Sequence, residues 1–296
     1  MAILAIYPHG KILRAAVKSD ACIKTASFTQ SEGGHEIMAG KILPWLGEHK
    51  GIDADLKLIV TNEHSPVARS LGDYFNLPVH VPSPATSNEC PPRAFVTGTP
   101  LLKRRCRIDA LTFEFLARQE AEARGLDPTS ARFIVAHLDE ENQLAALVGQ
   151  EVVDGLTSVD EGPFSLRQSG GLPFDGVIDL CMVCGNRKQT LKVLHSEGGL
   201  QGYLGVQSLQ ELWSNQGEMA ELIREALVYQ ISKEIGALAT VLKGRVDALV
   251  LGGDLLEAEP FGQAIRRRIE FLGPIATYPG NQVLPALLAA GKRIQV

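Results

Sequence analysis

The sequence predicts an α/β protein built from two copies of a βββαβα unit, and three observations carry that expectation. Three apolar stretches separated by polar breaks open the chain at residues 2 to 29, and the same rhythm returns at residues 132 to 158. Each triplet is followed by helical periodicity and then by one strongly apolar strand-like run. With 296 residues, 45% of them hydrophobic, the chain is long enough for two domains, each with its own core.

In chain order, AILAIYP, ILRAAV and ACIKTASFT read as an antiparallel meander, HEIMAGKILPWLGEHKG as a helix and LKLIVT as the strand after it. RGLDPTSA (124 to 131) carries Gly, Pro and Ser and is the candidate hinge. It divides the expected domains into 1–128 and 129–296, the closing helix being free to pack back on the first. RFIVAHL, QLAALVG and EVVDGLTS repeat the meander. From Glu218 to Leu242 the residues Met219, Leu222, Ile223, Ala226, Leu227, Gln230, Ile231, Ile235 and Leu238 lie close to a helical stripe, and Gly244 supplies a C-cap. The strand VDALVLGGD ends in glycines and is followed by the helix EPFGQAIRRRIEFL, a βα geometry in which nucleotides are often held. IATYP is the final strand and about Leu284 to Gly291 the closing helix. A duplicated unit of this kind, with a cleft between the copies, is the plan of the actin-like, ribonuclease H-like superfamily that includes acetate and sugar kinases and Hsp70. Fold alone assigns no function.

Composition removes several function classes. No apolar run reaches the roughly 18 residues of a membrane span, and mean hydropathy is near zero. MAILAIYPHG has no basic leader and reads as a first strand, so a soluble, cytoplasmic protein is expected. Five scattered cysteines, Cys22, Cys90, Cys106, Cys181 and Cys184, fit a reducing compartment. The one CxxC, Cys181 to Cys184, lacks a second pair and reads as a buried helix end. The net charge of −5 argues against nucleic acid as a partner. The clusters Lys103, Arg104, Arg105, Arg107 and Arg266 to Arg268 read as solvated helix faces.

Four stretches carry a more specific likeness: DEGPFSLRQSGGLP (160 to 173), GGLQGYLG (198 to 205), YQISKEIGALATVLKGRVDALVLGG (229 to 253) and YPG (278 to 280). In these the chain resembles the butyrate kinase branch of the acetate kinase family over nearly its whole length. The resemblance implies ATP and Mg²⁺ as cofactors, a short-chain carboxylate as phosphoryl acceptor, and a homodimer through the second domain. Phosphoryl transfer needs backbone N–H groups, cations and metal around an anionic transition state.

Several residues depart from the family pattern. The family's second phosphate hairpin reads His-Leu-Gly-Gly-Gly; here His137 and Leu138 remain, but Asp139, Glu140 and Glu141 replace the glycines. Two like charges about 4 Å apart repel by roughly 4 kcal/mol at an effective dielectric of ~20, so three carboxylates oppose a triphosphate unless Mg²⁺ intervenes. In the first hairpin the family's Asn-Pro-Gly-Ser is replaced by Tyr7, Pro8, His9 and Gly10, followed by Lys11. Gln168 stands where the family has its catalytic arginine, with Arg167 one position earlier, and in an extended segment one position turns a side chain to the opposite face. After LKLIVT the family's Gly-Arg-Gly-Gly segment and pocket insertion are missing. Ile108, Asp109, Ala110 and Leu111 stand for Phe-His-Ala-Leu, and Phe95 for a further arginine.

Gly170 and Gly171, Gly198 and Gly199, and Gly252 and Gly253 survive, although Asp254 follows where the family ends in Thr-Gly-Gly. Of these, Gly252, Gly253, Gly170 and Gly171, with His137, are the candidate nucleotide-binding set; the other reading of the surviving glycines is tight turns that the fold requires in any case. The expectation is a butyrate kinase-like protein with impaired phosphoryl transfer, acting as a homodimer or as partner to an active kinase homologue. The alternative is an active short-chain carboxylate kinase with rebuilt phosphate loops, in which Asp139, Glu140, Glu141 and Asp254 hold Mg²⁺.

Overall fold

The structure, a computed structural model, describes residues 2–9, 12–19, 22–29, 34–49, 55–82 and 90–294. The chain divides into two units, one comprising Met1–Ala85 with Gln282–Val296 and the other Thr86–Asn281. Each unit is organised around one five-stranded mixed sheet.

In unit 1, β1 (Ala2–His9), β2 (Ile12–Lys18) and β3 (Ile23–Thr29) form the meander, with Ala5 opposite Ala16 and Ala15 opposite Ala26. β4 (Leu56–Thr61) runs parallel to β1 on its other side, and the short β5 (Val79–His80) parallel to β4. Strand side chains alternate between faces. Ala2, Leu4, Ile6, Leu13 and Val17 therefore share one face, which is buried under α1 (Gly34–Gly47) and α2 (Pro66–Phe75) through Ile42, Leu46, Val67 and Leu71. The opposite face, with Ile3 and Val60, is covered by the last helix, α10 (Val283–Ile294). Gly291 lets that helix approach: a Cβ there would lie 2.8 Å from Val60 Cγ2 and 3.0 Å from Ile3 Cγ2. Burial on both faces is why β1 and β4 read as continuous apolar runs and not as alternations.

Unit 2 repeats the plan. β6 (Arg132–Leu138), β7 (Asn142–Val148) and β8 (Glu151–Thr157) form the meander; β9 (Ala248–Gly253) and β10 (Ile275–Pro279) extend the sheet in parallel from β6, giving the order β10-β9-β6-β7-β8. Ile134, Ala136, Leu249 and Leu251 face α8 (Glu218–Val241) and α9 (Glu259–Ile269), while Phe133, Val135, Ala145 and Val250 face α3 (Ala110–Arg124). α8 is closed by Lys243 and Gly244, both left-handed, as the sequence leads one to expect for Gly244. Its buried side chains include Ile223, Leu227, Ile231, Ile235 and Leu238, but Met219 and Leu222 of the expected stripe are exposed. Between β8 and α8 lie four short helices, α4 (Phe174–Cys184), α5 (Arg187–Ser196), α6 (Gly199–Leu204) and α7 (Leu209–Ser214).

The boundary expected at residue 128 is displaced. The division falls at 85/86, and α3, placed by the sequence reading in the first domain, packs on β6 and β9 of unit 2. The RGLDPTSA stretch is a helix C-cap at Gly125 and a turn in which Asp127 accepts from Thr129 and Ser130, so its Gly and polar residues mark a local turn within one unit. Two further expectations are corrected. Cys181 is exposed and Cys184 half-buried, on a helix none of whose residues is buried. Arg104 lies outside any helix, with about a fifth of its side chain exposed, and is held by Asp154, Glu161 and the carbonyls of Ala94 and Gly155.

Candidate functional site

The acidic hairpin tip and the loop before α4 come together at one end of the unit 2 sheet. β6 ends in His137 and Leu138, and β7 begins at Asn142, so Asp139, Glu140 and Glu141 make the three-residue connection. Asp139 is buried, and its Oδ1 accepts the Glu140 N–H at 2.8 Å. The Glu140 carbonyl accepts the Leu166 N–H at 3.3 Å, and its carboxylate pairs with Arg167, Nη1 to Oε2 3.1 Å. Gln143 ties Glu141 to the start of α3: its amide nitrogen donates to Glu141 Oε1 at 3.2 Å while its oxygen accepts the Asp109 N–H at 2.8 Å.

The loop from 158 to 171 is braced by backbone bonds. The carbonyls of Ser165, Leu166 and Arg167 accept from Leu200, Gln201 and Gly198, at the beginning of α6. Arg167 is thus presented toward the hairpin, and its remaining donors go to Gln201 Oε1 at 3.2 Å and the Gln207 carbonyl at 3.1 Å. Gln168 turns away from Arg167's partners: its side-chain oxygen accepts from the Ser165 hydroxyl within the same loop. The structure therefore brings Arg167, Glu140 and Gln201 together and ties Gln168 back on itself.

The glycines divide. Gly253 has φ 110° and its Cβ would fall 2.1 Å from the Leu138 carbonyl oxygen, so β9 can lie against β6 only with glycine there. Gly170, at φ 67°, is equally constrained, with Gly162 O at 2.4 Å from the Cβ position. Both are required by close backbone approach, whatever the ligand. Gly252 sits in the register His137–Gly252–Tyr278 across three strands, which places His137 beside the β9 terminus. His137 is buried with Nε2 lacking a hydrogen-bond partner, and it neighbours Asp109, the N-cap of α3. Burial pushes the Asp109 carboxyl above the usual carboxylate range, against the pull of its bonds from Thr112 and of nearby His137. Of the unit 1 hairpin, Gly10 and Lys11 lie outside the described residues.

The described residues around the hairpin carry more negative than positive charge. Among the described residues Arg167 beside the hairpin is paired with Glu140, the turn adds two more carboxylates, and the residue at the family's arginine position is bound within its own loop. Nor do the acids gather as a metal site: among the described residues no three His, Cys, Asp or Glu side chains are disposed to hold an ion, and Glu140 is turned to Arg167. The pairing of Glu140 with Arg167 across 27 positions has no signal in the sequence beyond opposite charge.

No family model matches the chain. It is 31% identical over 252 residues to the probable butyrate kinase 2 of Caldanaerobacter subterraneus subsp. tengcongensis, covering 81% of this chain and 70% of the relative. It is 31% identical over 251 residues to a probable butyrate kinase of Listeria welshimeri, covering 81% and 71%. The crystal structure of a propionate kinase from Francisella tularensis superposes with a TM-score of 0.76 over 97% of this chain and 98% of that one, at 14% identity, and shares the fold.

Proposed function

The chain belongs to the butyrate kinase family, and from that premise we propose that it keeps the scaffold while its phosphoryl transfer is impaired or lost. The observation that carries the reading is the Arg167–Glu140 pair: the guanidinium of Arg167, beside the hairpin, is paired with a residue that replaces a family glycine. Catalysis of this kind rests on positioned positive charge and on backbone N–H groups open to phosphate oxygens. Here a carboxylate occupies the position opposite the cation, and Gln168 supplies no charge.

ATP with Mg²⁺ would supply the transferable phosphoryl group in an active relative, and a short carboxylate the acceptor. In this chain the residues that would meet them are Gly252, Gly253 and His137 at the β9 terminus and Arg167 beside the hairpin. Titration calorimetry with ATP, with and without Mg²⁺, followed by a hydroxamate assay with butyrate and acetate, tests the reading. Absence of binding and of acyl hydroxamate at millimolar ligand is expected. Butyryl hydroxamate above a heat-killed control would instead install an active carboxylate kinase with rebuilt loops.

The proposal extends to assembly and setting. α4 presents Phe174, Ile178, Met182 and Val183 to solvent, 87%, 61%, 78% and 84% exposed, an apolar helix face that supports a homodimer through unit 2 or pairing with an active kinase homologue. Five cysteines outside any disulfide support a reducing, cytoplasmic setting. Among the described residues no helix is long and apolar enough to cross a membrane.

A further inference from the structure

We propose that Cys90 and Cys106 form a redox pair that closes to an intramolecular disulfide under a peroxide and reopens under a thiol reductant. The two are 16 positions apart, and their sulfurs are in contact at 3.1 Å, the Cys90 thiol donating to Cys106 Sγ. Neither is in a disulfide, and both are buried, 4% and 2% exposed, within the core under α3. A disulfide needs its sulfurs at about 2.05 Å, so closure asks for a movement of roughly 1 Å.

Three features hold this contact in place. Gly155 lies inside β8, where glycine weakens a strand, and a Cβ there would lie 3.2 Å from Cys106 Sγ and 3.1 Å from Ile108 Cγ2; the glycine makes room for the sulfur. Arg104, two positions before Cys106, is bound to Asp154, Glu161 and the Gly155 carbonyl, which fixes the backbone leading to that sulfur. Arg104 also donates to the Ala94 carbonyl at 3.2 Å, which draws the segment after Cys90 to the same place.

Access is one-sided. Cys90 lines a cavity of about 830 Å³ with Phe95, Val96, Thr97 and Leu102 among its walls, so a small oxidant reaches this sulfur first. With Cys90 ionised, Cys106 becomes the donor of the contact, and that bond and then burial push the Cys106 thiol up, which keeps it protonated and in reserve as the resolving partner. In the first step the Cys90 thiolate attacks one peroxide oxygen, the O–O bond breaks, and sulfenic acid and hydroxide form; the hydroxide takes up the Cys90 proton as water. In the second, Cys106 sulfur attacks the sulfenic sulfur, the S–O bond breaks, and the departing hydroxide leaves as water with the Cys106 proton. Two thiols and one hydrogen peroxide thus give one disulfide and two waters; the sulfurs lose two electrons and the peroxide oxygens gain them. The bridge ties the wall of the cavity to the segment that leads into α3.

The test uses the full chain with one equivalent of hydrogen peroxide, then alkylation, intact mass and peptide mapping. The expected product is lighter than the reduced protein by about 2 Da, carries a Cys90–Cys106 crosslinked peptide, melts several degrees higher, and reverts under dithiothreitol. Cys90→Ser should lose the crosslink. A triple variant, Cys22→Ser with Cys181→Ser and Cys184→Ser, should keep it, and this variant leaves the core sulfurs untouched if Cys90→Ser fails to fold. Recovery of Cys90 and Cys106 as separately alkylated peptides while other thiols oxidise would overturn the proposal. So would halting of Cys90 at the sulfinic or sulfonic acid in the triple variant.

Discussion

Replacing Glu140 by Gln removes one charge from the hairpin and keeps the side chain's size. The Arg167–Glu140 contact of 3.1 Å corresponds to a bare attraction of roughly 5 kcal/mol at an effective dielectric of ~20. The two side chains are 32% and 17% exposed, so solvent screening and the ordering of two long side chains reduce the net stabilisation to about 1 kcal/mol. The variant should therefore unfold at slightly lower denaturant, with Arg167 still held by Gln201 and the Gln207 carbonyl. Anion binding should move the other way. A phosphate that takes the place of the carboxylate gains the guanidinium and loses a like charge, worth about 1 to 2 kcal/mol, or roughly five- to thirtyfold in Kd for ATP or pyrophosphate. The gain should shrink as ionic strength rises. Calorimetry on the parent chain, Glu140→Gln, Arg167→Ala and the double variant measures it. An affinity unchanged by Glu140→Gln, or a gain that survives in the Arg167→Ala background, would refute the assignment of Glu140 as the internal counter-ion.

Gly253→Ala should cost roughly 3 to 5 kcal/mol of stability without any nucleotide present, because the added carbon meets the Leu138 carbonyl at 2.1 Å; a normal melting curve would return the glycine to a ligand role. Asp109 has a raised folded pKa, so the folded state binds its proton more tightly than the unfolded state does. Stability should fall as pH rises from the ordinary value of 3.8 through the folded one and stay lower above it; Asp109→Asn, which keeps an acceptor for Thr112, should flatten that fall in urea titrations across pH. Arg104→Met should lose about 2 to 3 kcal/mol through two abandoned carboxylates, read as a shift in denaturant midpoint. On the proposed homodimer, the Ile178→Glu, Met182→Glu double variant should be monomeric by light scattering and otherwise folded where the parent chain is dimeric; an unchanged dimer, or a monomeric parent, would refute a contact through α4.

The two sheets were legible because their central strands β1, β4, β6 and β9 are buried on two faces, which leaves continuous apolar runs in the sequence, whereas the edge strand β3 is largely exposed. α2 is also encoded, by Ser65 at its N-cap, Pro66 at its first position and Asn76 in the left-handed C-cap. The unit boundary was not legible, since a polar turn between two elements of one unit looks in sequence like a turn between units. At the site, sequence located the acidic turn and Arg167 but treated them separately. Their pairing depends on the 158–171 loop being carried back by α6, through backbone bonds that carry no residue preference.

The two terminal helices are exchanged. α3 follows the first sheet in the chain yet covers the second, and α10 follows the second yet covers the first. During synthesis at roughly 5 to 20 residues per second, β1 to β5 emerge well before the helix that shields one of their faces. The intervening residues 86 to 281 take about 10 to 40 s to make at that rate, and throughout that interval the apolar face carrying Ile3 and Val60 has no cover. Unit 1 is thus begun before unit 2 and completed after it. Nascent chains halted before residue 282 are expected to engage holdase chaperones and to be cut readily within residues 2 to 80, with protection appearing only once α10 has been added.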